Sequence, residues 1–256
     1  MEALKSRVAV VTGGFSGIGF AAALQLAREG MSVALGGRNP ISTRVTELSA
    51  SGSQAWGGEL DVRRQESVKE FVTSVESELG PIDILINSAG VGTQQEVWDH
   101  DDDKWHDVID TNLSGCFYMI RACLPGMMKR KWGRIVSVGS TAARTAMPGY
   151  AAYCASKSGL LGLTRAVALE GAPYGISATV VSPTWVETEM MHKSFARRAK
   201  ANRTRIEEEF ASYIKASPQK RLVQPAEIGA LIAFLCREEA IGITMEDIQI
   251  NAAAWW

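Results

Sequence analysis

Short apolar runs alternate along the chain with longer stretches in which apolar residues recur at helical spacing. The runs are bounded by Gly, Pro or Asn, which is typical of strands buried on both faces of a parallel sheet. We predict strands over residues 8–11, 32–35, 54–60, 82–86, 134–138, 176–181 and 248–250. Helices covering both faces of such a sheet make a doubly wound, three-layer α/β fold of about seven strands.

Two of the longer stretches indicate where helices begin and end. Residues 17–29 are predicted to form a helix, and Gly30 follows at the position that favours a left-handed cap. Pro225 suits a first helical turn, and it precedes an apolar stripe with the spacing of a helix packed on a sheet: Ile228, Leu231, Ile232 and Leu235.

No internal repeat or low-complexity linker interrupts this alternation, so residues 1–256 are predicted to form a single domain. Residues 189–222 alone break the rhythm of strand and helix. We call them the lid segment and interpret them as an irregular substrate loop or lid.

Composition limits the classes of function. The chain has 256 residues, with 27 basic and 28 acidic side chains and a net charge of −1, which supplies no general field for nucleic acid or an acidic membrane. Four dispersed cysteines and three histidines form neither a metal-ligand nor a disulfide pattern. No apolar run approaches the length of about 18 residues that spans a bilayer. We predict a cytoplasmic protein without metal, nucleic-acid or membrane partners.

A glycine-rich segment, Thr-Gly-Gly-Phe-Ser-Gly-Ile-Gly at residues 12–19, lies between the first predicted strand and the first predicted helix. Glycines in this order let the chain turn tightly and approach a pyrophosphate, whose charge meets the N–H groups and dipole of the helix N-terminus. The segment therefore favours a nucleotide site. A ligand-free turn, or the similar loop of AdoMet-dependent enzymes, is the alternative.

Tyr153 and Lys157 are four residues apart, so on a helix their side chains share one face. Hydride transfer to or from a carbonyl carbon also needs a proton on or off the oxygen. A free tyrosine has a pKa near 10, and bringing it to about 7 takes roughly 4 kcal/mol of preferential phenolate stabilisation. A cation at i+4 is one source of it, although such a pair also occurs on ordinary helix surfaces.

The spacings TGxxxGxG and YxxxK together resemble the short-chain dehydrogenase/reductase family, in its single-domain branch. The resemblance runs over essentially the whole chain. It implies a Rossmann domain that interconverts a secondary alcohol and a ketone with NAD(P)(H) and needs no metal, as a carbonyl reductase, alcohol dehydrogenase or 3-oxoacyl reductase does.

The resemblance also implies catalytic roles for four residues. Tyr153 would be the acid/base, and Lys157 would lower its pKa and bind ribose hydroxyls. Ser140 would orient the substrate oxygen, although Ser137 and Ser140 could also be ordinary strand-end hydroxyls. Asn112 would kink its helix and hold a water that links Lys157 to solvent.

Further motifs imply the cofactor contacts. Asn-Ser-Ala-Gly at 87–90 resembles the family's NNAG, and Ser-Pro-Thr-Trp-Val-Glu-Thr at 182–188 resembles SPGxxxT with Thr184 in place of Gly. Asp61 would bind the adenine amino group, or could instead cap the following helix. The expected set is Gly13, Phe15, Ser16, Gly17, Ile18, Gly19, Arg38, Asn39, Asp61, Val62, Asn87, Ala89, Gly90, Tyr153, Lys157, Pro183, Val186 and Thr188.

Cofactor preference depends on the end of the second strand. In Rossmann sites an acidic residue there binds the adenosine ribose, whereas a missing acid with a nearby arginine favours a 2′-phosphate. Gly37 stands at the acidic position and Arg38 follows. We expect NADP(H) to be favoured over NAD(H), unless Arg38 is only a solvated loop charge.

A partly apolar pocket is expected for a small alcohol or ketone, with Ser140, Met147, Tyr153, Trp185 and Met190 as substrate contacts and Val91, Thr93, Tyr150 and Phe195 as further lining. The basic residues of the lid segment suggest either an anionic substrate or a solvated helix face paired with Glu207, Glu208 and Glu209.

The family resemblance also implies a homodimer or homotetramer. From their aromatic chemistry, Trp255 and Trp256 are expected either to pack in a subunit contact or to reach a neighbour's pocket. Two other functions fit the same motifs. One is a non-catalytic dinucleotide-binding regulator, and the other is a related epimerase or dehydratase.

Overall fold

Seven parallel strands form the centre of the molecule. The computed structural model describes residue 4 and residues 6–254, which contain a sheet with the order β3-β2-β1-β4-β5-β6-β7. The strands are β1 (Val8–Thr12), β2 (Ser32–Gly37), β3 (Ala55–Glu59), β4 (Ile82–Asn87), β5 (Gly133–Val138), β6 (Ile176–Pro183) and β7 (Asp247–Ile250). All seven strand predictions are confirmed, with ends that differ by a residue or two.

Helices cover both faces of this sheet. They are α1 (Gly17–Arg28), α2 (Ser42–Ser49), α3 (Gln65–Glu78), α4 (Asp102–Ile109), α5 (Gly115–Arg130), α6 (Ala151–Gly171), α7 (Glu189–Asn202), α8 (Ile206–Ala216) and α9 (Pro225–Leu235). Gly30 follows α1 with φ of 87°, as its predicted capping role requires. The doubly wound α/β prediction is confirmed.

Two hydrophobic cores lie on opposite faces of the sheet, because successive strand residues point to opposite sides. Ala9 and Val11 of β1 pack with α1 and α9 in one core. Val8 and Val10 pack with α3, α5 and α6 in the other. Both faces of the central strands are therefore excluded from solvent, and the packed helices keep the ends of the strands in register.

The lid segment differs from its prediction, because it is mostly helical rather than an irregular loop. It contains α7 and α8, which pack together through a small separate core of Met191, Phe195, Tyr213 and Leu222. The segment thus has its own buried cluster, whose contacts set where α7 lies.

Near the C-terminal end of the chain, β7 pairs with β6 and is flanked by unusual backbone. Met245, Ala252 and Ala253 adopt positive φ angles of 66°, 49° and 63° there. Side chains are strained in that region of backbone space. The predicted interface residues Trp255 and Trp256 lie outside the described residues. Across the described part of the chain, no helix is long and apolar enough to cross a membrane.

Candidate active site

The carboxyl ends of the central strands meet at one edge of the sheet, where Thr12, Asn87 and Ser137 are paired in register. Ligands of open α/β folds bind at this edge. A cavity of about 630 Å³ opens there. It is lined by these predicted site residues: Gly13, Ser16, Gly17, Ile18, Gly19, Arg38, Asn39, Ala89, Gly90, Ser140, Met147, Tyr153, Lys157, Pro183, Trp185, Val186, Thr188 and Met190.

The glycine-rich turn brings the backbone to the cavity wall. Gly13 and Gly17 have positive φ angles of 62° and 52°. A Cβ on Gly13 would lie 2.9 Å from the Cα of Ala89, and one on Gly19 would collide with the carbonyl oxygen of Gly13. Ser16 precedes the first turn of α1 without capping it. The N–H groups of that turn therefore face the cavity without a side-chain acceptor from the N-cap.

A smaller cavity of about 130 Å³ adjoins the first and shares Gly13, Arg38, Ala89 and Gly90 with it. Asp61 and Val62 line this second space. Phe15, by contrast, borders neither cavity; it is 5% exposed and belongs to the sheet core. A Cβ on Gly37 would lie 3.0 Å from the Phe15 ring, so Phe15 packs directly under the position where related sites carry an acid.

Asp61 is held by an arginine that sequence reasoning missed. Arg63 donates from Nε and Nη2 to both carboxylate oxygens of Asp61, at 2.9 and 2.6 Å, and from Nη1 to Asp107 at 2.6 Å. These hydrogen bonds lower the pKa of Asp61 and keep it ionised. The alternative role of Asp61 as a helix cap is not seen, because the residue before α3 is Arg64.

Ser140, Tyr153 and Lys157 converge on the larger cavity from β5 and α6. The Lys157 ammonium lies 5.7 Å from the centre of the Tyr153 ring and donates to the carbonyl oxygen of Val138 at 2.7 Å. Ser140 accepts a hydrogen bond from the backbone N–H of Ala142 at 3.1 Å, which fixes its side chain at the end of β5.

Burial dominates the titration of this group. Desolvation raises the pKa of Tyr153, and a hydrogen bond with Ser140 acts in the opposite direction. Desolvation also lowers the pKa of Lys157. Ser140 is therefore the side chain whose hydrogen bond favours the phenolate of Tyr153.

Asn112 lies beneath the cavity and is fully buried. Its side-chain oxygen accepts from the N–H of Val91 at 2.9 Å, while its amide donates to the Val91 carbonyl at 2.9 Å and to Ser156 at 3.1 Å. The helix around it widens into a π-turn over Asp110–Ser114. The predicted distortion at Asn112 is therefore present, and π-turns of this kind are frequent at functional sites.

Asn87 is also buried below the cavity rather than along its wall. Its amide donates to the hydroxyl of Ser137 at 3.4 Å, and its side-chain oxygen has no hydrogen-bond partner among the described residues. The side-chain oxygen of Asn87 is therefore an unused acceptor at the strand end, in a buried position where an acceptor without a donor costs free energy.

The 182–188 segment joins β6 to α7. Thr184 lies outside the left-handed backbone region, and its hydroxyl contacts that of Tyr213 at 3.4 Å, so threonine is accommodated where the family has glycine. Thr188 caps α7: its hydroxyl accepts from the N–H of Met191 at 3.3 Å and donates to the Val186 carbonyl at 3.2 Å.

The substrate side of the cavity includes Met147, Tyr150, Trp185 and Met190. Two expected lining residues are elsewhere. Thr93 does not border the cavity, and Phe195 is fully buried against Trp185 with ring centres 5.2 Å apart. Phe195 therefore supports the wall from behind.

Sequence reasoning also missed part of the wall that α7 provides, namely Glu189, Met191 and Ser194, whereas Lys193 and Arg197 were among the basic residues expected to meet an anionic substrate or solvent. The signal was present in the helical spacing of Met190, Ser194 and Arg197, which places them on one face. That periodicity predicts which residues share a side, and only the packing of α7 on α8 shows that this side faces the cavity.

Known proteins resemble the chain over nearly its whole length. Residues 7–199 match the model of the family described as short chain dehydrogenase. A protein named as a ketoacyl reductase of the monensin polyketide synthase, from Streptomyces virginiae, is 40% identical over 249 residues, or 96% of this chain and 95% of that protein. The 3-oxoacyl-acyl-carrier-protein reductase of Vibrio cholerae is 33% identical, with 98% of each chain covered.

A solved structure shares the whole architecture. The crystal structure of an actinorhodin polyketide ketoreductase variant with NADPH has a TM-score of 0.95 and 34% identity, with 98% of both chains covered.

Proposed function

The chain belongs to the short-chain dehydrogenase family, and from this premise we propose that it reduces a ketone to a secondary alcohol, and catalyses the reverse reaction, through Tyr153 as acid and base. One observation carries the proposal: Ser140, Tyr153 and Lys157 border the same cavity as the first turn of α1. That arrangement puts a proton donor beside a glycine-rich loop of the kind that binds dinucleotides.

The glycine-rich segment at residues 12–19 fits a nicotinamide dinucleotide. Its backbone approaches so closely at Gly13 and Gly19 that side chains there would meet other backbone atoms. Ser16–Gly19 would hold the pyrophosphate, Asp61 and Val62 would border the adenine, and Pro183, Val186 and Thr188 would border the nicotinamide. When bound, the dinucleotide supplies or accepts the hydride.

Each polar residue has a defined task in this proposal. Tyr153 donates its phenolic proton to the substrate oxygen during reduction and accepts a proton from the alcohol during oxidation. Ser140 hydrogen-bonds the same oxygen and lowers the pKa of Tyr153. Lys157 binds ribose hydroxyls, held in place by the Val138 carbonyl. Asn112 lies in the π-turn, and in this proposal it would hold a water that links Lys157 to solvent.

Arg38 supports a preference for NADP(H) over NAD(H). It borders both cavities, and it forms no ion pair with any residue that the structure describes. Gly37 leaves the preceding position without the carboxylate that would repel a 2′-phosphate from that position. A planar guanidinium matches phosphate geometry, and Asn39 adds a neutral hydrogen-bonding side chain beside it.

The test is a panel of ketones and secondary alcohols assayed with both cofactors by reduced-nicotinamide absorbance. We expect turnover with a higher kcat/KM for NADP(H) and a loss of about 10²–10⁴-fold in Tyr153→Phe. A higher kcat/KM with NAD(H) contradicts the cofactor preference, and full turnover by Tyr153→Phe contradicts the mechanism. Cofactor binding without net oxidation or reduction would instead identify a regulator, an epimerase or a dehydratase.

We further propose a cytoplasmic homodimer or homotetramer, built through helices that include α6. Leu169 on α6 and Phe117 on α5 are 65% and 41% exposed, which leaves apolar surface for a second copy. Light scattering of the purified protein would give the mass, and a monomer at working concentration would contradict this assembly.

A further inference from the structure

The lid helix α7 supplies one wall of the large cavity, and that wall is charged. It contributes Glu189, Met190, Met191, Lys193, Ser194 and Arg197. The rest of the substrate side is built from apolar or neutral residues such as Met147 and Trp185. Charge on this wall is therefore the feature most able to select among substrates that share a carbonyl group.

Among the described residues that line this cavity, four are basic and one is acidic, although the whole chain has a net charge of −1. Three of the basic groups already have partners or tasks. Arg38 lies at the cofactor end, and Lys157 donates to Val138. Lys193 is paired with Glu189 at 2.6 Å, one helical turn away.

Arg197 is the remaining cation. Within residues 6–254 it has neither an ion pair nor a hydrogen bond, and it is exposed at the cavity wall. Its neighbour Arg198 differs in both respects: it pairs with Glu209 at 3.5 Å, lies over the Phe195 ring and does not line the cavity. These adjacent arginines thus occupy different environments. The overall charge of α7 therefore does not explain the position of Arg197 at the cavity wall.

We infer that Arg197 binds an anionic group, a carboxylate or a phosphate, carried by the substrate away from its carbonyl. The inference rests on the proposed function, because the carbonyl is placed by Ser140 and Tyr153. Met190 and Arg197 are separated by seven residues of α7, a rise of about 10 Å, and Met190 lies nearer the 182–188 segment. The wall therefore accommodates a substrate with an apolar body and an anionic end.

The experiment compares matched substrates and matched variants. Keto carboxylates of increasing length are assayed against their methyl esters, and dihydroxyacetone phosphate against dihydroxyacetone, so the two arms separate carboxylate from phosphate. Arg197→Gln is compared with Arg197→Lys and with Arg198→Gln, which makes the same change of charge one residue away. The wild type and all variants are assayed at a saturating concentration of the cofactor.

Arg197→Gln is expected to raise KM for the preferred anionic ketone by about ten-fold or more, since hydrogen bonds to charged groups are among the stronger ones. KM for the neutral partner stays within about two-fold, because it makes no charge-assisted contact. Arg197→Lys keeps part of the selectivity, and Arg198→Gln leaves the ratio of the two KM values unchanged.

An equal effect of Arg197→Gln on anionic and neutral ketones, or no effect on either, overturns the inference while leaving the reductase proposal intact. Calorimetric binding of the same compounds supplies a readout independent of turnover. If no ketone is turned over but the acid binds Arg197→Gln more weakly than wild type, the reductase proposal fails and the anion site stands. Equal binding of acid and ester to both proteins overturns the anion site.

Discussion

The hydroxyls of Tyr150 and Ser194 lie 3.0 Å apart and are hydrogen-bonded. Tyr150 immediately precedes α6, three residues before Tyr153, and Ser194 lies on the cavity side of α7. One hydrogen bond therefore ties the helix that carries the proposed acid/base to the wall that carries Arg197. Both residues are at least nine-tenths buried, so water competes poorly for the bond.

Removing this bond should loosen the substrate wall. Tyr150→Phe and Ser194→Ala are each expected to raise the substrate KM several-fold and to cost about 1 kcal/mol of stability, the usual net value of such a bond. The double variant should be little worse than either single one, because both remove the same contact. Steady-state kinetics and denaturant unfolding measure these effects.

Tyr174→Phe is the control for this pair, because Tyr174 is an exposed tyrosine in the turn that follows α6 and it borders neither cavity. It should leave KM unchanged. Strictly additive effects of the two changes at 150 and 194 would contradict a shared hydrogen bond between α6 and α7.

Ser140 should control the pH dependence of alcohol oxidation. Oxidation needs the phenolate of Tyr153, so its rate rises as pH increases through the pKa of that group. The hydrogen bond from Ser140 lowers this pKa. Ser140→Ala should therefore move the rising limb of the pH–rate profile to higher pH and reduce the rate at neutral pH. Ser158→Ala, which removes an exposed hydroxyl of α6 bonded to Ala143, should leave the limb in place.

Reduction has the opposite sign. It uses the protonated phenol, so its rate falls as pH rises through the same pKa, and Ser140→Ala should extend the active range upward. A shift of both limbs to lower pH would mean that Ser140 favours the protonated tyrosine instead.

Asn112 should be needed for stability as well as activity. Asn112→Ala leaves the N–H and carbonyl of Val91 without their partners in a partly buried site, which costs up to about 1–3 kcal/mol per unsatisfied group. The expected result is a lower denaturation midpoint together with reduced kcat. Asn112→Asp keeps the acceptor for the Val91 N–H but faces its carbonyl with a second oxygen, so it should not restore the midpoint. Wild-type stability in either variant would contradict this account.

Local patterns in the sequence predict most of the sheet and the convergence of the catalytic candidates. Thr12 and Asn87 each end an apolar run and Ser137 lies one residue before the end of another, and parallel pairing alone brings such ends together. The spacing of Tyr153 and Lys157 is likewise a property of a single helix.

Long-range packing is what these patterns do not contain. Phe195 fits a pocket as well as a core by its chemistry, and only the contact with Trp185 and Tyr213 decides for the core. The ion pairs of Arg63, in the loop before α3, join Asp61, two residues away, to Asp107 on α4. Neither spacing nor composition indicates that α4 brings Asp107 to this place.

Gly37 should set cofactor preference. Gly37→Asp places a carboxylate where a 2′-phosphate would bind, and like charges repel, so KM for NADPH should rise by about ten-fold or more. The acid can accept hydrogen bonds from ribose hydroxyls, so kcat/KM for NADH should improve. Gly37→Ala is the matched control: its Cβ also lies 3.0 Å from the Phe15 ring, so it shares the packing cost without the charge. An equal loss in both variants would assign the effect to Phe15.

Gly19 should tolerate no side chain, because a Cβ there would collide with the carbonyl oxygen of Gly13, a backbone atom that has no rotamer to adopt. Gly19→Ala must therefore displace the turn that precedes α1, and dinucleotide affinity should fall even where the protein still folds. Gly162→Ala makes the same change within α6, where a Cβ would meet no described atom of its own chain within 4 Å. There alanine should stabilise the helix by up to about 1 kcal/mol, since glycine is the poorer helix former.

Calorimetric titration with NADPH and thermal unfolding of the two variants separate local binding from global stability. Gly19→Ala should weaken binding at temperatures where its circular dichroism matches that of the wild type, whereas Gly162→Ala should bind normally and unfold at a higher temperature. Undiminished NADPH affinity in Gly19→Ala would contradict this prediction. It would show that the loop can shift to accommodate the added methyl group, and that NADPH binding does not depend on the close approach of Gly19 to Gly13.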